Sequence, residues 1–253
     1  MRVEGIVFDL DATLVNLGGF VEWMKAEKRV VDIYNLSGCP GELIRSCSDK
    51  GLFNLLNRMR DELSLTMPSI DVARIQNKVF KAVEECEAEG IGSCHLMPEC
   101  IPTLEWLKKN NIKMGIATSN SQDVAEQTLR INGIHKFFTS LVGRRVDLRM
   151  KPYPDQILVC FNEIEVDPIH GVVVGDSARD VKAAKSAGAY AIAVPSHFTR
   201  LRSLKEAGVD KIIEHLGILP SIMQELNSEK GLGRSTRPDN RLRRERSQRS
   251  ATP

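Results

Sequence analysis

Gly5-Ile6-Val7-Phe8-Asp9-Leu10-Asp11-Ala12-Thr13 is the stretch from which the rest of the chain can be read. Residues 3–8 read as a buried strand, because Ile6, Val7 and Phe8 form an unbroken apolar run. Two acids follow at once. Asp9 and Asp11 are two residues apart, so they leave an extended chain on the same side. An acid set directly on the end of a buried strand is costly unless it is used.

Downstream, three further pieces have the same layout. Thr118 follows Met114-Gly115-Ile116-Ala117, and Asp176 follows Val172-Val173-Val174-Gly175 with Asp180 four residues on. Between them, Lys151 stands in Lys151-Pro152-Tyr153-Pro154. Taken singly, each has a plain explanation. Thr118 or Ser119 could cap a helix, Lys151 could be an exposed loop lysine, and Asp176 with Ser177 could cap the helix that holds Asp180. As a set, Asp9, Thr118 and Asp176 each end a separate expected strand, where open parallel sheets bind their ligands.

The order of elements supports such a sheet. From about residue 16 to 94 no buried strand is legible. Three helical patterns fill the interval, built on Phe20, Trp23 and Met24, on Leu52, Leu55, Leu56 and Met59, and on Val72, Ile75, Val79 and Val83. Pro40, Pro68 and Gly90-Ile91-Gly92 separate them. After residue 95, expected helices near 98–110, 121–132, 154–163 and 178–187 alternate with expected strands at 112–117, 139–143, 171–175 and 190–194. This predicts an α/β fold, a parallel sheet covered by helices on both faces, with an all-helical insertion after its first strand. The expected boundaries are a core of 1–15 and 96–227, an insertion of 16–95, and a basic tail of 228–253.

Composition narrows the function classes. At 253 residues and 42% hydrophobic, the chain can pack a substantial core. No apolar run is long enough to span a bilayer, and the N-terminus has no secretory layout, so the expected location is cytoplasmic. The six cysteines contain no CxxC pair and read as reduced apolar fillers. Cys94, His95 and Cys100 match no zinc spacing, and the five histidines form no ligand pattern. Residues 229–253 carry Lys230 and seven arginines against Glu229, Asp239 and Glu245, a net +5; with +2 for the whole chain, the rest carries −3. The body therefore offers nucleic acid no general attraction, and only the tail could touch RNA. No aromatic residue sits between its arginines for stacking on bases.

The residue types suit phosphate ester cleavage. Asp9 can attack phosphorus, and Asp11 can protonate the leaving oxygen and later accept a proton from water. Asp11 must start protonated, which burial and the like charge of Asp9 both favour. Thr118 supplies a hydroxyl, and Ser119 and Asn120 are expected to open the next helix, whose N-terminus favours anions. Lys151 supplies a point charge for the transferring group, and Pro152 is expected to extend the chain at Lys151. Asp176 is a candidate metal ligand, and Asp180 could hold Lys151 or a metal-bound water.

Asp9-x-Asp11-x-Thr13, Thr118, Lys151 and Gly175-Asp176-x-x-x-Asp180 resemble, in order and type, the motifs of the haloacid dehalogenase superfamily, in its aspartate-nucleophile phosphatase branch. The resemblance implies a Rossmann-like core, a Mg2+ cofactor and an aspartyl-phosphate intermediate on Asp9, with Asp11 as acid and base. It implies metal contacts from Asp9, Asp176, Asp180 and the backbone carbonyl of Asp11, and phosphate contacts from Thr118, Ser119, Asn120 and Lys151. The helical insertion resembles the cap of the phosphoglycolate phosphatase and β-phosphoglucomutase group, hinged at Asn16 to Gly19. The implied substrate is a small phosphorylated metabolite such as phosphoglycolate or a sugar phosphate. A phosphomutase is the alternative enzyme, and a non-catalytic scaffold that binds RNA or a partner through its tail is the alternative of another class. Arg45, Lys50, Arg58 and Arg60 are further cations that could meet an anion. Residue 12 departs from the family pattern, being Ala where Gly is usual. If the backbone there needs a positive φ, the methyl costs on the order of 1 kcal/mol.

Overall fold

A computed structural model describes residues 2–49, 51–196 and 199–228. Lys50 and the basic tail lie outside the described residues. Six parallel strands form one sheet: β1 (Gly5–Phe8), β2 (Lys113–Ser121), β3 (Ser140–Arg144), β4 (Gly171–Gly175), β5 (Tyr190–Ala193) and β6 (Lys211–Ile212). Their order is β3-β2-β1-β4-β5-β6. β1 is central: Phe8 pairs with Ile116 of β2 on one side and with Val174 of β4 on the other. The chain leaves β1 in opposite directions through the sheet, and that reversal opens a crevice beyond the carboxyl ends of β1 and β4.

Both faces of the sheet are covered. Ile6 and Phe8 point into one apolar cluster and Val7 into the other, as strand alternation requires. The Val7 face packs on α7 (Asp155–Glu163) and α8 (Ala178–Ala187). It does so closely. A Cβ on Gly115 would lie 2.4 Å from Cys160 Sγ, and one on Gly171 would lie 2.3 Å from the Phe161 ring. Those two strand glycines let α7 approach the backbone. α5 (Cys100–Lys109) and α6 (Gln122–Ile131) pack against β2, and α9 (Leu201–Glu206) and α10 (Leu219–Ser228) complete the covering.

Between β1 and α5 the chain forms four α-helices: α1 (Trp23–Leu36), α2 (Gly41–Cys47), α3 (Leu52–Thr66) and α4 (Ser69–Gly90). Val30 and Tyr34 of α1, Leu55 and Leu56 of α3, and Val79 and Val83 of α4 are fully buried together. α2 is not anticipated from the sequence. It is two turns long and buries only Ile44 and Cys47, too few positions to show a period.

A second difference concerns the segment after Ala117. Ser119 and Asn120 are extended within β2, whereas the sequence reading opens a helix there. The strand runs on because Ser121 still pairs with Arg144 of β3 across an irregularity in register. Ser121 then caps α6, its side chain accepting from Val124 N at 3.2 Å.

Beyond β1 the chain turns sharply. Ala12 N donates to Val15 O at 2.6 Å, and Ala12 adopts φ +58°. That conformation is left-handed, where a Cβ is penalised. Ala12→Gly should therefore raise the unfolding free energy by about 0.5–1 kcal/mol, after allowing for the greater freedom of Gly in the unfolded chain. Urea unfolding of both proteins in EDTA checks this. An unchanged or lower midpoint would mean the turn carries no strain.

Candidate active site

Asp9 is the first residue past β1, its N–H still donating to Val174 O at 2.8 Å. Its carboxylate meets Lys151, with Oδ1 2.7 Å from Nζ. Lys151 Nζ also donates to Asp180 Oδ1 at 2.5 Å. The lysine side chain is 4% exposed, so this contact takes place out of water. The second oxygen of Asp180 accepts from the Ser177 N–H at 3.0 Å and from its hydroxyl. Gly175 makes room for this: a Cβ there would stand 2.3 Å from Asp180 Cγ.

Asp176 completes the group. Oxygens of Asp9, Asp176 and Asp180 all lie within 4.8 Å of one another. Three carboxylates facing one ammonium leave a net negative charge at the carboxyl end of the sheet. The groups respond as electrostatics requires. Burial, reinforced by Asp180 and Asp9, pushes Asp176 up to about 7. Burial also raises Asp9, against the pull of Lys151. Burial works to raise Asp180 too, but the charge and hydrogen bond of Lys151 outweigh it and hold Asp180 below its usual range. Burial works to lower Lys151, and the two carboxylates outweigh it and raise the ammonium. Hard carboxylate oxygens carrying excess negative charge are a donor set that fits a divalent cation.

Asp11 is not part of that cluster. Its Oδ1 accepts from Gly18 N at 2.7 Å. Gly18 is held close: a Cβ on it would lie 2.2 Å from Asp11 Oδ2. Burial, the largest influence on Asp11, pushes its carboxyl up to about 6, with the Gly18 N–H acting in the opposite sense.

Thr118, Ser119 and Asn120 line the end of β2, two residues and more beyond Ile116, the partner of Phe8. Thr118 Oγ1 donates to Asn120 Oδ1 at 2.9 Å and accepts from Asn120 N at 3.2 Å. Ser119 Oγ is buried and has no hydrogen-bond partner among the described residues.

Several residues here have no signal in the sequence. Gln156 Nε2 donates to Thr118 O at 2.7 Å and to Gly143 O at 2.8 Å, tying β2 to β3 from α7. Ser196 Oγ donates to Asp176 Oδ2 at 2.9 Å, and Thr199 Oγ1 to Asp176 O at 2.9 Å. Asn57 of α3 grips the loop before Lys151: its Nδ2 donates to Met150 O at 3.1 Å and its Oδ1 accepts from Met150 N at 3.3 Å. Glu87 of α4 reaches the end of β2. All are ordinary polar residues, and only burial sets Gln156, Asn57 and Glu87 apart. Among the described residues, Arg45 of α2 and Arg60 of α3 form no ion pair with the clustered acids, and Arg58 bonds Asp49 at 2.9 Å on an exposed face.

The matching family model is that of haloacid dehalogenase-like hydrolases, over residues 6–194. The chain belongs to this family. Pyrophosphatase PpaX of Bacillus velezensis is 26% identical over 222 residues, covering 86% of this chain and 95% of that protein. The plasmid phosphoglycolate phosphatase of Cupriavidus necator is 24% identical over 218 residues, covering 86% and 92%. Among solved structures, CbbY from Rhodobacter sphaeroides in complex with phosphate aligns with a TM-score of 0.59 at 22% identity, over 86% of this chain and 96% of that one. The protein is thus a hydrolase of this family, with the family's fold. Among the described residues, no helix is long and apolar enough to cross a membrane.

The raised carboxyls link stability to pH. A carboxyl whose value rises on folding binds protons more readily in the native state. Its stabilising effect is complete below the unfolded value and is lost as pH climbs through the folded one. For Asp11 and Asp176 the window runs from 3.8 to about 6 and about 7. Protein in EDTA should therefore have a lower urea midpoint at about pH 8 than at about pH 5.5. A divalent cation should recover the loss at the higher pH and do little at the lower. Equal midpoints with and without the cation at both pH values would show that the cluster is not short of positive charge.

Proposed function

We propose that this protein is a Mg2+-dependent phosphatase acting on a small phosphomonoester through an aspartyl-phosphate intermediate. One observation carries the reading: the buried Lys151 ammonium lies between Asp9 and Asp180, at the mouth of the sheet and beside Asp176. A lysine in that position pulls Asp9 toward its ionised form, against burial, and orients it while presenting positive charge to an incoming dianion.

In the first step an Asp9 oxygen attacks phosphorus, forming an acyl phosphate, as the bond to the ester oxygen breaks. Asp11 gives its proton to the departing oxygen. Its raised value, about 6, keeps a useful share of it protonated near neutral pH. In the second step Asp11, now ionised, takes a proton from water, and the hydroxide oxygen joins phosphorus while the Asp9 carboxylate leaves. The products are an alcohol and inorganic phosphate. Thr118, Ser119 and Asn120 are assigned to the phosphoryl oxygens, together with Lys151. The unpartnered Ser119 hydroxyl supports this, since a buried donor calls for a ligand. Asp9, Asp176 and Asp180, with the Asp11 backbone carbonyl, are assigned to Mg2+, which when bound offsets their charge and draws charge from the phosphoryl oxygens.

Residues 16–95 are assigned to a cap over a core of 1–15 and 96–227. The bonds of Asn57 to the loop before Lys151, and of Tyr153 to Asp61 at 2.8 Å, support a cap that closes on the site and excludes water. Such a cap suits a small substrate, in the range suggested by relatives named phosphoglycolate phosphatase and pyrophosphatase.

Purified protein should release phosphate from phosphoglycolate, or from an aryl phosphate such as p-nitrophenyl phosphate, only with Mg2+ present. Asp9→Asn should lower kcat by about a thousandfold or more while leaving the fold intact. Turnover that survives this substitution would end the proposed mechanism. Sugar-phosphate interconversion with little free phosphate would replace the phosphatase by a mutase.

A further inference from the structure

Glu87 lies in the last turns of α4, and Arg144 is the final residue of β3. Their side chains are both 0% exposed. The pair is bidentate, with Arg144 Nη1 3.0 Å from Glu87 Oε1 and Nη2 2.9 Å from Oε2. If helix and sheet only needed to be braced together here, apolar side chains of similar volume would serve at least as well. The remaining bonds of the pair distinguish it from a brace.

Three consecutive residues at the end of β2, two of them assigned to phosphate and the third capping α6, are held by this pair. Arg144 Nη1 donates to Ser119 O at 2.7 Å. Asn120 Nδ2 donates to Glu87 Oε1 at 3.1 Å. Ser121 N donates to Glu87 Oε2 at 3.2 Å. The bond to Asn120 also fixes which way its amide faces. With Nδ2 turned to Glu87, Oδ1 faces Thr118 and accepts its hydroxyl proton. The direction of the Thr118 hydroxyl proton is therefore set, through the Asn120 side chain, by a carboxylate of α4. The guanidinium cancels the charge of that carboxylate, so a negative group can stand beside an anion site without repelling the anion.

We propose that Glu87 and Arg144 are positioning residues, which hold Thr118–Ser121 in the geometry that receives phosphoryl oxygens and tie that geometry to α4. The inference rests on the phosphatase reading of the site. The pair touches no substrate and acts through the end of β2.

Three proteins test it: wild type, E87Q, and the double variant E87L/R144M, which keeps the packed volume and removes the bonds to the end of β2. Three quantities are read: the urea midpoint, kcat and KM for p-nitrophenyl phosphate with Mg2+, and the affinity for orthovanadate by calorimetry. The expected result for E87L/R144M is a urea midpoint at or near wild type, with kcat and vanadate affinity each reduced by about tenfold or more. E87Q, which keeps one acceptor oxygen, should fall between. A folded double variant with wild-type kcat, KM and vanadate affinity would overturn the proposal, leaving the pair a brace. Should the double variant fail to fold, E87Q decides on the same readouts, wild-type values again overturning the proposal. Wild-type protein that binds vanadate without hydrolysing the ester would overturn the phosphatase reading alone, and the binding comparison would still decide the role of the pair. Wild-type protein that neither binds nor hydrolyses would overturn both.

Discussion

The site depends on one buried ammonium. Lys151 holds Asp9 at 2.7 Å and Asp180 at 2.5 Å with almost no access to water. Without it, three buried carboxylates would crowd one another, and each would be driven toward its protonated form. With it, Asp180 stays ionised and Asp176 absorbs the remaining strain, rising to about 7. This division of roles follows from distance. Asp180 has the lysine and Ser177 as partners, whereas Asp176 has Ser196 and its two acidic neighbours.

The helices between β1 and β2 are more than a covering. They reach the site at three separate points. Gly18, just after β1, donates to Asp11. Asn57 takes both backbone groups of Met150, next to Lys151. Glu87 binds the end of β2. Each contact joins the helical segment to a different chemical element of the site: the acid, the cation and the hydroxyl-bearing strand end. A movement of this segment would alter all three contacts together.

Much of this was legible in the chain because the sheet is parallel and buried on both faces. Such strands read as continuous apolar runs, so Ile6-Val7-Phe8 and Val172-Val173-Val174 stand out, and the acids that end them are conspicuous. Gly188, with φ +82°, ends α8 where a helix stop is expected. Legibility failed where local pattern and tertiary pairing disagree. Ser119 and Asn120 look like the polar start of a helix, yet pairing toward β3 keeps them extended. α2 was too short to be periodic.

The sequence alone determined the layout: an acid after each of two buried strands, a threonine toward the end of a third, a lysine directly before a proline, and helices placed to make the sheet parallel. These are local properties, because strand runs and their end residues lie within a few positions of one another. Tertiary structure alone decided which acids share the lysine, that Asp11 turns instead to Gly18, and that Ala12 takes a positive φ. It also decided that Glu87 and Arg144, 57 residues apart, become one neutral unit behind the strand end. Nothing in a Glu or an Arg announces burial or a partner. Their roles arise only when folding removes water and leaves each as the other's nearest charge.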